Sequence, residues 1–147
     1  MSIIERDQIL TMIPHAGTMC LLDAVLDWNE HSVRCLSRRY RQQDNPLRRA
    51  DGVLGAACGI EIAAQAMAVQ GRLTSGAGGP PSGGGYLASL RDVQLRAGRL
   101  DAIDGDLIIE AERLMGDARG ASYRFTLAAQ GVELLSGRAT VLFGAGA

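Results

Sequence analysis

The sequence contains no lysine: all 15 of its basic residues are arginine, balanced by 16 acids to a net charge of -1. That balance gives no overall electrostatic case for a nucleic-acid partner. No uninterrupted apolar run reaches the length a membrane span requires, although 47% of residues are apolar, so no membrane insertion is expected. The first twelve residues carry Glu5, Arg6 and Asp7 where a secretory signal would need a basic end and an apolar stretch, and export is not indicated. Cys20, Cys35 and Cys58 are odd in number, widely spaced and free of any CxxC or Cys/His pattern. They read as reduced, mostly buried thiols of a cytoplasmic protein, with neither a metal nor a cofactor implied.

What remains is the composition of one globular domain over residues 1–147, long enough to bury a real core. Ser2 followed by Glu5 reads as a capping box opening a helix of two to three turns on Ile3, Ile4, Ile9 and Leu10, ended before Pro14. Residues 19–28 and 33–40 then form a hairpin around the polar turn 29–32. After the glycine- and proline-rich stretch 77–85, four strands are expected at 86–95, 107–114, 121–129 and 132–143. Their turns fall at Asp104-Gly105, at 116–120 and at Gln130-Gly131.

Between Val53 and Gly71 the only charged residue is Glu61. At 100° per residue, Ala57, Ile60, Glu61, Ala64 and Ala68 share one face of a helix, and Ala63, Ala66 and Met67 make the opposite side apolar too. A helix apolar nearly all round must be buried all round. One antiparallel sheet covers a single side, so the other cover is expected from a second copy of the chain. The two sheets would continue edge to edge, with the helices side by side. The architecture is therefore α+β, a long helix wrapped by an antiparallel sheet of five to six strands, and dimeric.

This order of elements resembles the hot-dog fold, and particular residues narrow the resemblance. Ile13-Pro14-His15, followed by residues 19–26 (Met-Cys-Leu-Leu-Asp-Ala-Val-Leu), resembles the opening of 3-hydroxyacyl-ACP dehydratases. Gly59-Ile60-Glu61 with Ala64-Gln65-Ala66 resembles their helix signature. Gly85-Tyr86-Leu87 and the last strand are similar to the divergent dehydratase-like subgroup of aryl polyene clusters. The similarity spans residues 8–143. The sequence departs from the family at one place: the His-Phe-Pro motif ahead of the helix, whose histidine takes the α-proton, is replaced by Asp44-Asn45-Pro46-Leu47-Arg48-Arg49.

The resemblance implies loss of water from a 3-hydroxyacyl thioester held on a pantetheine arm, with an acyl-carrier protein or CoA as carrier. That chemistry needs an acid for the departing hydroxyl, a base for the α-proton and donors for the carbonyl. Glu61 fits the acid, because desolvation on an apolar helix disfavours the charged form of a carboxyl. His15, at an element junction, or a water is the candidate base, whereas His31 sits in the polar hairpin turn and reads as merely exposed. Gln65 lies on nearly the same helix face as Glu61, and main-chain groups near Gly52, Gly55 and Gly59 could polarise the carbonyl.

Six arginines (34, 38, 39, 41, 48 and 49) fall in a segment whose only acid is Asp44. They suggest a docking patch for an acidic carrier or its phosphate. Reversal of Arg48 and Arg49 should then weaken carrier binding and leave the fold unaffected. Two other readings stay open. One is an acyl thioesterase using the helix carboxylate. The other is a degenerate subunit that supports an active hot-dog partner in a heterodimer.

Overall fold

The computed structural model describes residues 3–13, 17–75 and 85–143. Strand β1 (Ile4–Glu5) leads into helix α1 (Arg6–Ile9). Strands β2 (Ala24–Trp28) and β3 (Ser32–Ser37) follow, then the long helix α2 (Cys58–Ser75) and strands β4 (Gly85–Leu95), β5 (Leu107–Gly116), β6 (Gly120–Ala129) and β7 (Val132–Phe143). The strands form one antiparallel sheet in the order β1-β2-β3-β5-β6-β7-β4.

The four later strands lie where the sequence places them, within two residues at either end. Gln130 and Gly131 both have positive φ, 53° and 78°, the backbone that a two-residue hairpin needs between right-twisted strands. Several boundaries differ from expectation; β3 ends at Ser37 rather than 40, because the chain turns into a short 3-10 helix at Arg39–Arg41. Ile4 and Glu5 pair with Val25 and Ala24 as a strand, so α1 cannot begin until Arg6. Its capping box is Glu5 with Gln8 rather than Ser2 with Glu5, and the helix has four residues.

The second strand starts at Ala24 rather than 19, because the backbone of Leu21 is claimed by side chains: its N–H by Gln65 and its carbonyl by the Ser37 hydroxyl. Helix α2 starts at Cys58 rather than near 53. The Leu54 N–H is held by Asp101 Oδ1 at 2.8 Å and the Ala56 N–H by the Gly98 carbonyl at 3.2 Å, which ties this stretch to the 98–101 loop before the helix can form.

The core is the space between α2 and one face of the sheet. Alternate residues of β3, β5 and β6, among them Cys35, Ile109, Phe125 and Leu127, meet Ile62, Ala63, Ala66 and Val69 of α2, all fully buried. Each such leucine-sized side chain contributes about 1.5–3 kcal/mol. At Gly59 helix and sheet approach closely, since a Cβ there would lie 2.5 Å from Leu135 Cδ2.

Helix α2 lies over β3, β5 and β6, and β4 continues the sheet beyond it. On β4 the side chains of Leu87, Leu90 and Leu95 are 37%, 39% and 50% exposed. The opposite face of α2 is likewise only part covered, with Ile60, Ala64 and Ala68 half-buried and Ala57, just ahead of the helix, exposed.

Candidate active site

Glu61 stands in the first turn of α2, half-buried, on the face turned away from the sheet. One turn further along that side is Gln65, fully buried. Its Nε2 donates to the Met19 carbonyl at 2.7 Å and its Oε1 accepts the Leu21 N–H at 2.9 Å. The chain that follows His15 is thereby fixed against the flank of the helix that carries Glu61. Arg6 completes the attachment from the outside, donating to the carbonyls of Gly17, Cys20 and Leu22 at 2.9, 2.7 and 2.9 Å. His15 itself, with its neighbours Pro14 and Ala16, lies outside the described residues. His31 is exposed in the β2–β3 turn, which the Asn29 side chain holds by accepting the N–H groups of His31 and Ser32.

The segment that stands where the family carries its histidine is a closed loop. Asn45 is buried; its Nδ2 donates to the Tyr40 carbonyl and its Oδ1 accepts the Leu47 N–H, each at 2.9 Å. The Cys58 thiol, at the start of α2, points to the Leu47 carbonyl at 3.8 Å.

Arg48, expected at a docking patch, is instead a staple of this loop. Its guanidinium donates to the carbonyls of Arg41, Gln42 and Gly52, so its reversal is expected to cost stability rather than spare the fold. Arg49 does face solvent, paired with Asp51 at 3.5 Å. Arg38 and Arg39 pair with Asp106 and Asp23, both at 3.2 Å, which leaves less free positive charge than the sequence suggests.

The three glycines differ. The Gly59 N–H donates to the Ala56 carbonyl at 2.9 Å and its Cα is pressed on Leu127 and Leu135, a geometry that serves packing. Gly55 is half-exposed, bridges to Arg99, and has nothing within 4 Å of where a Cβ would stand. Main-chain approach by a ligand is sterically open there. Gly52 has φ of 86°, a turn conformation that glycine adopts without strain.

Asp101 and Asp51 hold the strap from 51 to 55. The Arg99 guanidinium, and after it the Leu54 N–H, keep the Asp101 carboxyl well below the usual carboxylate range. The Val53 N–H, more than Arg49, lowers that of Asp51. Sequence reasoning missed Asn45, Asp101 and the role of Asp23, whose Oδ2 accepts the N–H groups of Arg38 and Arg39. Only Asp23 carried a signal, as part of the Leu-Leu-Asp motif.

A recess of about 370 Å³ lies elsewhere, on the outer face of the sheet between Asp27, Arg34, Glu110, Glu112 and Arg124. Three acids and two arginines line it, Arg124 paired with Glu112 at 3.2 Å. Among the described residues no cluster of His, Cys, Asp or Glu could hold a metal ion.

Solved structures share this architecture. The dehydratase heterocomplex ApeI:P from Xenorhabdus doucetiae matches with a TM-score of 0.82 at 24% identity, over 92% of this chain and 90% of that one. Cj0977, a sigma28-regulated virulence protein of Campylobacter jejuni, matches at 0.65 with 9% identity over 95% and 89%. A mutant thioesterase from Pseudomonas aeruginosa matches at 0.60 with 12% identity over 92% and 91%. The chain is a hot-dog-fold protein, with a seven-stranded antiparallel sheet around one main helix. The model of the ApeP-like family, described as ApeP dehydratase, covers residues 7–144. The chain belongs to the ApeP-like dehydratase family. No curated protein matches it.

Proposed function

We propose that this chain takes part in dehydrating a 3-hydroxyacyl thioester, carried on the pantetheine arm of an acyl-carrier protein or CoA, to the trans-2-enoyl thioester of a fatty-acid-like or polyene chain. It does so paired with a related hot-dog subunit. The carrying observation is the position of Glu61: a carboxyl on the half-covered face of α2, beside the segment that Gln65 fixes, in a chain matched by a dehydratase family over nearly its whole length.

In the reaction a base removes the α-proton, the α–β double bond forms, and the C–O bond breaks as the hydroxyl leaves as water with a proton from the acid. Glu61 supplies that proton, and His15 is the base. The open main chain at Gly55 is where the thioester carbonyl approaches. The part-covered faces of α2 and β4 call for a second subunit, and the Xenorhabdus neighbour is a heterocomplex, which favours a related partner over self-pairing. Among the described residues no helix is long and apolar enough to cross a membrane.

The test is an assay of the chain alone and in complex with a hot-dog partner, on 3-hydroxyacyl and acyl thioesters, reading enoyl absorbance and free thiol together. Enoyl formation that disappears with Glu61→Gln supports the proposal. Thiol release without enoyl would make the chain a thioesterase. If the complex forms enoyl equally well with Glu61→Gln, the chain is a supporting subunit.

A further inference from the structure

Three arginines stand in a row on the outer face of the sheet at its β4 end. The register sets Arg91 of β4 opposite Arg138 of β7, and Arg138 opposite Arg124 of β6. Adjacent strands are about 4.8 Å apart, so three exposed cationic side chains lie side by side. Arg124 meets Glu112 of β5 at 3.2 Å. Among the described residues neither Arg91 nor Arg138 has an ion pair. Asp92, the single acid of β4, sits at a bulge with φ of 54° and pairs with neither. Like charges directly opposite one another disfavour a sheet.

The row ends at an open edge. Strand β4 is the last of the sheet, and its core-side residues Leu90 and Leu95, opposite Ala139 and Leu135, are exposed where their partners are buried. An added strand there would continue the sheet and cover those leucines. Suppose that strand were β4 of a second copy, antiparallel and matched end to end about the midpoint Leu90. Arg91 of each copy would then lie diagonally across from the other on the same face, within reach of long side chains. The two rows would merge into one band of positive charge.

We propose that the Arg91, Arg138, Arg124 row selects a partner subunit whose edge strand carries carboxylates on its outer face, and weakens self-pairing along β4. This rests on the reading that the chain pairs with a related hot-dog subunit through β4 and α2.

The probe is the chain itself with its charge reversed, Arg91→Glu with Arg138→Glu, mixed with the parent and followed by sedimentation. The mixed pair should exceed either like-charged pair on the order of tenfold near 50 mM salt, and the preference should fade towards about 500 mM, where screening reaches only a few ångströms. A neutral variant, Arg91→Gln with Arg138→Gln, guards against misfolding of the reversed one. It should self-associate on the order of tenfold more tightly than the parent and lose the salt dependence.

Leu90→Asp, placed on the core side of the same strand, should abolish every one of these pairings. Statistical mixing, with association unmoved by the neutral variant but still broken by Leu90→Asp, would overturn the role of the arginines and leave pairing along β4 standing. Association indifferent to Leu90→Asp would remove the β4 interface, and the proposal with it.

Discussion

Gln65 Oε1 accepts the backbone N–H of Leu21 at 2.9 Å across a separation of 44 residues. With the second bond from its Nε2 to the Met19 carbonyl, one buried amide joins the N-terminal segment to α2 one turn past Glu61. Replacing Gln65 by leucine keeps the volume and strands two backbone groups, each costing about 1–3 kcal/mol when buried unpaired. Urea denaturation should show a loss of about 2–4 kcal/mol. An unchanged midpoint would mean that other contacts hold the segment.

Glu61→Gln keeps shape and hydrogen-bonding capacity and removes the transferable proton. Dehydration should fall on the order of a hundredfold, while the melting temperature stays level with the parent's. His15→Ala should cost comparable turnover with an intact far-ultraviolet spectrum. Loss of fold with His15→Ala would identify that residue as a hinge, and lost stability without lost turnover at residue 61 would make Glu61 structural.

Arg48 and Arg49 should respond in opposite ways to reversal. Arg48→Glu sets a carboxylate against three carbonyls and should cost about 2 kcal/mol or more by chemical denaturation. Arg49→Glu loses one exposed ion pair and should stay within about 0.5 kcal/mol of the parent. If Arg49 touches a carrier, its variant alone should weaken carrier binding, with a salt-dependent difference from the parent. Equal stability of the two variants would refute the staple.

One thiol and one tyrosine set an alkaline limit. Burial pushes Cys35 up to about 12 from 9.0 and Tyr123 up to about 12 from 10.0. Between those values the unfolded chain releases protons that the folded chain keeps, so stability is intact below about pH 9 and falls as pH rises towards 12. At pH 8, iodoacetamide should label half-exposed Cys58 and spare buried Cys20 and Cys35, as mass spectrometry of the native protein can show. Equal labelling of all three would contradict the packing.

Periodicity made the strands from residue 85 onward and the existence of α2 readable, because a covered sheet face and a doubly apolar helix both leave their mark in the order of apolar residues. Boundaries set by single long-range contacts left no such mark. Asp101 delays the start of α2 by holding Leu54, and Ile4 turns into a strand by pairing with Val25; neither partner is near in sequence. At the site, Glu61 stood out as a lone charge in an apolar run. Arg48 showed in the sequence as charge, whereas the carbonyls of Arg41, Gln42 and Gly52 that it binds left no mark there.

The Tyr123 hydroxyl donates to Gln70 Oε1 at 2.8 Å, and Gln70 Nε2 donates to the Glu30 carbonyl at 3.0 Å, so the β2–β3 hairpin is tethered to α2 at Gln70. Trp28, the chain's one tryptophan, is the last residue of β2 before that turn and packs half-buried on the core. Its fluorescence therefore reports whether the hairpin is docked on the helix, about 13 Å along the axis from Glu61. The protein carries an intrinsic optical reporter remote from Glu61. A spectral change when acyl thioester binds would register motion carried along α2, while quenching at the site itself would leave the emission silent.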